Sequence, residues 1–140
     1  MGVYDKRYRF RVEIDGMTLA AFQSAGPLEA TSEVVEQHEG GAQAPTKELG
    51  KLSFANIVLM KGKTDNTELY DWWKAVNIDG ADDKREGSIV QTDRQGTEIR
   101  RYDFAGALPV RYRWGDWDAT ASENVIEEME LSIDSAENAE

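Results

Sequence analysis

The chain has 140 residues, 40% of them hydrophobic and 31% charged, with a formal net charge of −11 and a pI near 4.6. That size and apolar content exclude wholesale disorder, and the acidic balance excludes a protein that tracks nucleic-acid phosphates or clings to anionic lipid. Cysteine is absent, which excludes disulfides and thiol chemistry, and no apolar run approaches the ~18 residues that span a bilayer.

Residues 1–11 are charged and carry no apolar stretch, so no amino-terminal signal is expected. Tyr8, Phe10, Val12 and Ile14 alternate with Arg9, Arg11 and Glu13, the period of a half-buried strand. Asp15-Gly16 supplies a tight turn, and residues 17–24 are predicted to return as the second strand of a hairpin, broken at Gly26-Pro27. Residues 29–39 read as a further strand. It sets Ala30, Ser32, Val34 and Glu36 on one side and Thr31, Glu33, Val35 and Gln37 on the other. Neither set is apolar enough for the core of a monomer, so this strand is expected to meet water or another subunit. Residues 40–50, rich in Gly, Ala and Gln with Pro45 among them, read as a mobile loop closing on Lys47 and Lys51.

Leu52, Phe54, Ile57, Leu59 and Met60 mark the next strand, and a parity change near Ala55-Asn56 predicts a bulge. Then comes the one amphipathic helix. Leu69, Trp72, Trp73 and Val76 stand at i, i+3, i+4 and i+7 and form its apolar stripe. Asp65-Asn66-Thr67-Glu68 ahead of it fits a capping box, with Asp65 accepting from the Glu68 N–H. Such a stripe is expected to plug the open end or face of a sheet or barrel. After a charged loop over 79–85, residues 88–92 and 97–104 form a hairpin across Asp93-Arg94-Gln95-Gly96. Residues 108–114 and 125–133 are the last strands, separated by Gly115-Asp116-Trp117-Asp118, and 134–140 read as a frayed polar tail. The fold class expected is mainly β: a small antiparallel barrel or sandwich flanked by one α-helix, in a single domain over 1–140.

The chemistry-bearing residues do not converge. His38 is the sole histidine and sits between Gln37 and Glu39, which excludes a two-histidine metal site or a triad within one chain. Asp82-Asp83 and Glu127-Glu128 are carboxylate pairs. Neighbours in a strand point to opposite faces, so the latter two are read as solvated charge and not as an acid–base site. Asp103, Asp116 and Asp118 lack the ligand order and glycine of a calcium loop. Gly40-Gly41 and Gly62 are followed by no Gly-Lys-Ser/Thr, so no phosphate loop is present. Helical spacing assigns Trp72 and Trp73 to packing, while Trp114 and Trp117 flank a Gly-Asp turn and suit burial or an interface equally. No catalytic residue, cofactor or metal is expected, and the chain is not read as an enzyme.

A series of short segments does converge. Tyr8-Arg9-Phe10-Arg11-Val12-Glu13-Ile14-Asp15-Gly16 is followed by Phe22 to Gly26-Pro27-Leu28-Glu29, then Glu33-Val34-Val35-Glu36 leading into Glu39-Gly40-Gly41. Lys51-Leu52, Asn56-Ile57-Val58-Leu59, Lys61-Gly62, the Leu69 to Trp73 helix and Arg85-Glu86-Gly87-Ser88-Ile89-Val90 come next. Asp93 with Gly96, Tyr102-Asp103-Phe104, Ala107-Leu108-Pro109-Val110 and the strand from Glu127 to Leu131 complete it. In this order, over nearly the whole chain, they resemble the tail tube protein family of contractile-tailed phages and contractile injection systems.

The resemblance implies a small β-barrel flanked by a helix, six copies of which form a ring. Rings stack into a hollow inner tube within a contractile sheath, bounded by baseplate or spike and tube-terminating proteins. Contraction drives the tube through a target envelope, and effector protein or DNA uses the lumen. Assembly in the bacterial cytoplasm is implied, as part of a phage virion or a tail-like particle that is released or membrane-attached, without a membrane anchor on the tube itself. The segment from Glu39 to Lys51 matches the family's loop toward the neighbouring ring, making Gly40, Gly41, Pro45, Lys47 and Lys51 stacking candidates. Glu29, Glu33, Glu36 and Glu39 are lumen-lining candidates, since a carboxylate wall repels a polyanion and lets it slide. Joining sheets around a ring also removes exposed strand edges. The alternatives are the secreted tube ring of type VI secretion and, from a different class, a small acidic β-barrel binding module. Concentration-dependent ring formation separates the module from either tube.

Overall fold

The computed structural model describes residues 9–17, 22–38, 40, 44–62, 66–120 and 125–139. Expectations for Tyr8, residues 18–21, Glu39, Gly41 and Asp65 lie outside the described residues. In chain order the elements are β1 (Arg9–Ile14), β2 (Ser24–Gly26), β3 (Ala30–Gln37), β4 (Thr46–Phe54) and β5 (Ile57–Gly62). Then follow α1 (Glu68–Asn77), β6 (Arg85–Thr92), β7 (Glu98–Arg113), β8 (Ile126–Ser132) and β9 (Ser135–Asn138). Among the described residues, β1-β6-β7-β8-β5-β2 is the strand order of the main body, and β9 adds to β7. β3 and β4 pair with each other as a separate two-stranded ribbon. Every pairing among the described residues is antiparallel.

β7 joins two halves of the body. Tyr102 to Ala105 pair with β9 and, over part of the same stretch, with β6, whereas Leu108 to Arg113 pair with β8. Between them Gly106 takes φ +67, and a Cβ there would come 2.0 Å from the Asp134 carboxylate, so only glycine fits this bend. Pro109, which has no N–H to give a ladder, coincides with the register shift between Pro109 and Arg111. One bent strand thus replaces the two predicted over 97–114.

The core lies on the inner faces of these halves. Ile57 and Leu59 of β5, Met129 and Leu131 of β8, Val12 and Ile14 of β1, and Phe104 and Ala107 of β7 are all buried in it. α1 closes this core with Leu69 and Trp72 buried and Trp73 and Val76 partly buried against it. Trp72 Nε1 donates to the Asp83 carbonyl at 2.9 Å, and the Arg85 guanidinium stands 5.2 Å from the centre of its ring. The N-cap of the helix is Thr67, which makes no side-chain cap bond. Ahead of it Asn66 Oδ1 accepts the Glu68 N–H at 2.8 Å and Asn66 Nδ2 donates to Glu68 Oε1 at 2.8 Å, so one amide satisfies the first helical N–H and holds the Glu68 carboxylate.

Four further expectations are corrected. Among the described residues β1 takes its register from β6, from Arg9↔Thr92 to Ile14↔Gly87, and Ser24–Gly26 pairs with β5 and not with β1. The loop over 40–50 is shorter than expected, because β4 begins at Thr46. The parity change at Ala55-Asn56 is not a bulge. There the chain passes from ribbon to body, and the Ala55 N–H donates to the Glu29 carbonyl at 2.9 Å. Over its described residues the tail does not fray: β9 pairs with Tyr102 to Ala105, and Ala139 N–H donates to the Arg101 carbonyl at 3.0 Å.

Candidate assembly interface

The ribbon is the anomalous part of the molecule. Its strands are exposed along nearly their whole length, with Leu49 at 76%, Val34 at 56% and Leu52 at 55%. Large apolar side chains grouped on one element and left in water mark an interaction surface. Register explains why the sequence conceals this. Ser32↔Leu52 and Val34↔Leu49 are opposed pairs, with an irregularity between them, so β4 supplies the apolar residues that β3 lacks. The expectation that neither side of residues 29–39 is apolar therefore holds for one strand and fails for the pair.

At its base the apolar face merges with a groove of about 460 Å³ lined by Leu28, Ala30, Phe54, Ile89, Tyr102 and Ala136 among others, with Glu29 and Glu137 also lining it. Among the described residues the body's strand order ends at β1 and β2. β1 carries an ionic network: Arg11 Nε donates to Glu13 at 2.8 Å, and Arg101 donates to Glu13 at 2.9 Å and to Glu98 at 3.0 Å. Those bonds, that of Arg11 first, hold the Glu13 carboxyl below the usual carboxylate range.

The lumen-lining candidates do not form one set. Glu33 and Glu36 fall on opposite faces of β3, with Glu36 opposed to Lys47. Glu29 precedes the strand and lines the groove. Of the stacking candidates, Gly40 stands exposed in a turn and Pro45 is partly buried, whereas Lys47 and Lys51 belong to β4. His38 is exposed just past β3.

At the helix end of the core the sequence reading missed a buried ionic cluster. Lys61 and Glu127 are opposed on β5 and β8, both almost wholly buried, with Lys61 Nζ 3.5 Å from Glu127 Oε1. Neither of these atoms has a well-aligned hydrogen bond among the described residues, so charge at contact distance holds the pair. The Tyr112 hydroxyl donates to the other Glu127 oxygen. Burial first, and then that bond, hold the Tyr112 hydroxyl above its ordinary range. Glu128 is buried too, accepting from Arg111 at 2.7 Å. Glu127 and Glu128 are thus not solvated, although they do take different partners. The signal available was the alternation of Glu127, Met129 and Leu131 on one side of β8. Tyr112 also meets Tyr70, Trp73 and Trp114 with ring centroids 5.1–6.0 Å apart, and Trp114 stays 47% exposed. The aspartates weighed for calcium are separately engaged: Asp103 with Ser88, Asp116 with Arg113 and Asp118 with Thr120.

What this arrangement offers is surface for assembly. Residues 6–137 match the family described as T4-like virus tail tube protein gp19. The chain belongs to that tail tube family. Solved structures agree with the assignment. The chain is 25% identical, with a TM-score of 0.84, to a chain of the extracellular contractile injection system PVC, in its sheath/tube terminator in the extended state; the match covers 100% of this chain and 96% of that one. It has the fold of a chain in the 6-fold symmetrised anti-feeding prophage baseplate, at TM-score 0.81, 23% identity and coverage of 94% and 92%. Hcp1 from Flavobacterium johnsoniae shares the fold less closely, at TM-score 0.59, 14% identity and coverage of 93% and 94%. No curated protein matches the chain. The tail tube family is structural, and its fold of antiparallel sheets with one helix is the fold found here.

Proposed function

We propose that this protein is the repeating subunit of the inner tube of a contractile injection system or phage tail. Six copies close into a ring, rings stack into a hollow tube inside a sheath, and the tube is driven through a target envelope while its lumen conducts cargo. The observation that carries this reading is the ribbon: an element with apolar side chains and no core beneath them is unaccounted for in a monomer. Membership of the tail tube family supplies the partner, further copies of the same chain. Six-fold order is supported by the 6-fold symmetrised baseplate that contains a chain of this fold. The sheath and a tube terminator as partners are supported by the similar chain of the PVC structure.

The type VI tube ring is the weaker reading, because the likeness to Hcp1 is lower in both identity and TM-score. Assembly takes place in the bacterial cytoplasm, and the finished tube belongs to a phage tail or a tail-like particle. Negative-stain electron microscopy across a concentration series tests this. Six-fold rings or hollow tubes are expected, and a uniform monomer that also persists on co-expression with baseplate proteins contradicts it.

A further inference from the structure

A lysine and a glutamate buried together are the two halves of an amide. Lys61 and Glu127 stand opposite each other on β5 and β8, at 1% and 3% exposure, with Nζ 3.5 Å from Oε1. Neither of those atoms has a hydrogen-bond partner among the described residues, so no such bond holds the nitrogen away from the carboxyl group. The Tyr112 hydroxyl donates to Oε2, the other oxygen of the same group. Tyr70, Trp73 and Trp114 surround Tyr112 with ring centroids 5.1–6.0 Å away. Leu59 and Met129, opposed one step along the same face, are fully buried, so the cluster sits against dry core.

We propose that Lys61 and Glu127 condense into an intramolecular isopeptide bond, with the Tyr112 hydroxyl assisting the step. It begins as a proton passes from the ammonium to the carboxylate and leaves an amine facing a carboxylic acid. A dry interior narrows the gap between these two forms, because it penalises the charged one. Nζ then attacks Cδ of Glu127, and the negative charge that develops on Oε2 is met by the Tyr112 hydroxyl. The Cδ–Oε1 bond breaks, Oε1 leaves as water with its acid proton and one proton from Nζ, and an amide remains. No oxidant, reductant or co-reactant is consumed. Two groups held in contact reach effective molarities on the order of 10⁵ M or more, above any concentration of water that could reverse the step. The product also replaces two buried charges by one neutral group. It ties β5 to β8 through their side chains at the helix end of the core. The unjoined subunit remains the form in which the ionic pair governs stability.

Intact-mass spectrometry of the denatured wild-type protein tests this, first as purified and again after weeks of incubation in the folded state. A joined form lighter than the unmodified chain by one water is expected, and its share should grow with time. Fragmentation of a proteolytic digest is expected to place the loss in a branched peptide that contains both Lys61 and Glu127. Lys61→Met with Glu127→Leu removes both reacting groups and is expected to show no loss. Tyr112→Phe keeps the ring without the hydroxyl and is expected to slow joining at least about tenfold. A wild-type mass that stays at the unmodified value throughout the incubation overturns the proposal. So does a water loss that maps elsewhere, as to Asp79-Gly80, or one that persists in the double variant. Joining of Tyr112→Phe at the wild-type rate overturns the part given to the hydroxyl.

Discussion

The body and the ribbon are both antiparallel β-structure, yet they are stable for different reasons. The body buries the alternate residues of β5 and β8 almost completely and adds a helix whose Trp72 is 2% exposed. Among the described residues the ribbon has no second layer: beyond Phe54 at its base, its residues are exposed along nearly their whole length. An isolated two-stranded ribbon is marginal at best. Here it is anchored by Phe54 packed against the core and by the Ala55 N–H bonded to Glu29. The body therefore carries the fold, and association is the role proposed for the ribbon.

The sharpest way to break that division is to damage the body alone. Trp72→Ala removes a fully buried indole and its bond to the Asp83 carbonyl, and a loss of about 3–5 kcal/mol is expected in denaturant unfolding of the dissociated subunit. Glu127→Leu is expected to cost a similar ~3–5 kcal/mol, since it strands the Lys61 ammonium in the core. The pair Lys61→Met with Glu127→Leu is expected to return to wild-type stability or exceed it by about 1–4 kcal/mol. A double variant as unstable as Glu127→Leu alone would show that Tyr112, left without its acceptor, dominates the cluster.

A smaller effect is expected from acid. Bonds from Arg11 and Arg101 depress the folded pKa of Glu13, and bonds from Asn56 and Arg111 depress that of Glu130. Their stabilisation is thus fully present above the unfolded value of 4.5 and is lost as pH falls below it through the folded values. Thermal melts of the dissociated subunit should fall more steeply below that point in wild type than in Glu13→Gln/Glu130→Gln. Both groups lie near the surface, so the difference is modest, on the order of 1 kcal/mol or less.

How much of this was readable in the sequence follows the same division. The helix and the strands around Ile57, Leu59, Met129 and Leu131 announced themselves because burial on one side imposes a period on the residues. Thr46 to Leu49 carries no such imprint, since both faces of β4 are exposed in the single chain, and it passed for the end of a loop. β9 passed for a tail because an edge strand held by backbone bonds leaves Ser135, Glu137 and Asn138 free to be polar. Strand partners were the other blind spot: alternation fixes the face of Val12 and Ile14, but nothing local says that β6 is their neighbour. Alternation sets Glu33 and Glu36 on opposite sides of β3, but only the register with β4 shows which residues stand beside them.

The central claim, that the ribbon assembles and the body folds, is tested most directly by light scattering coupled to size exclusion on Leu49→Asp, at concentrations where the wild-type protein forms rings. The expected result is a monomer whose melting temperature lies within a few degrees of that of dissociated wild-type protein, a shift worth about 1 kcal/mol or less. Rings of unchanged size and yield, or a subunit that no longer folds, would contradict it.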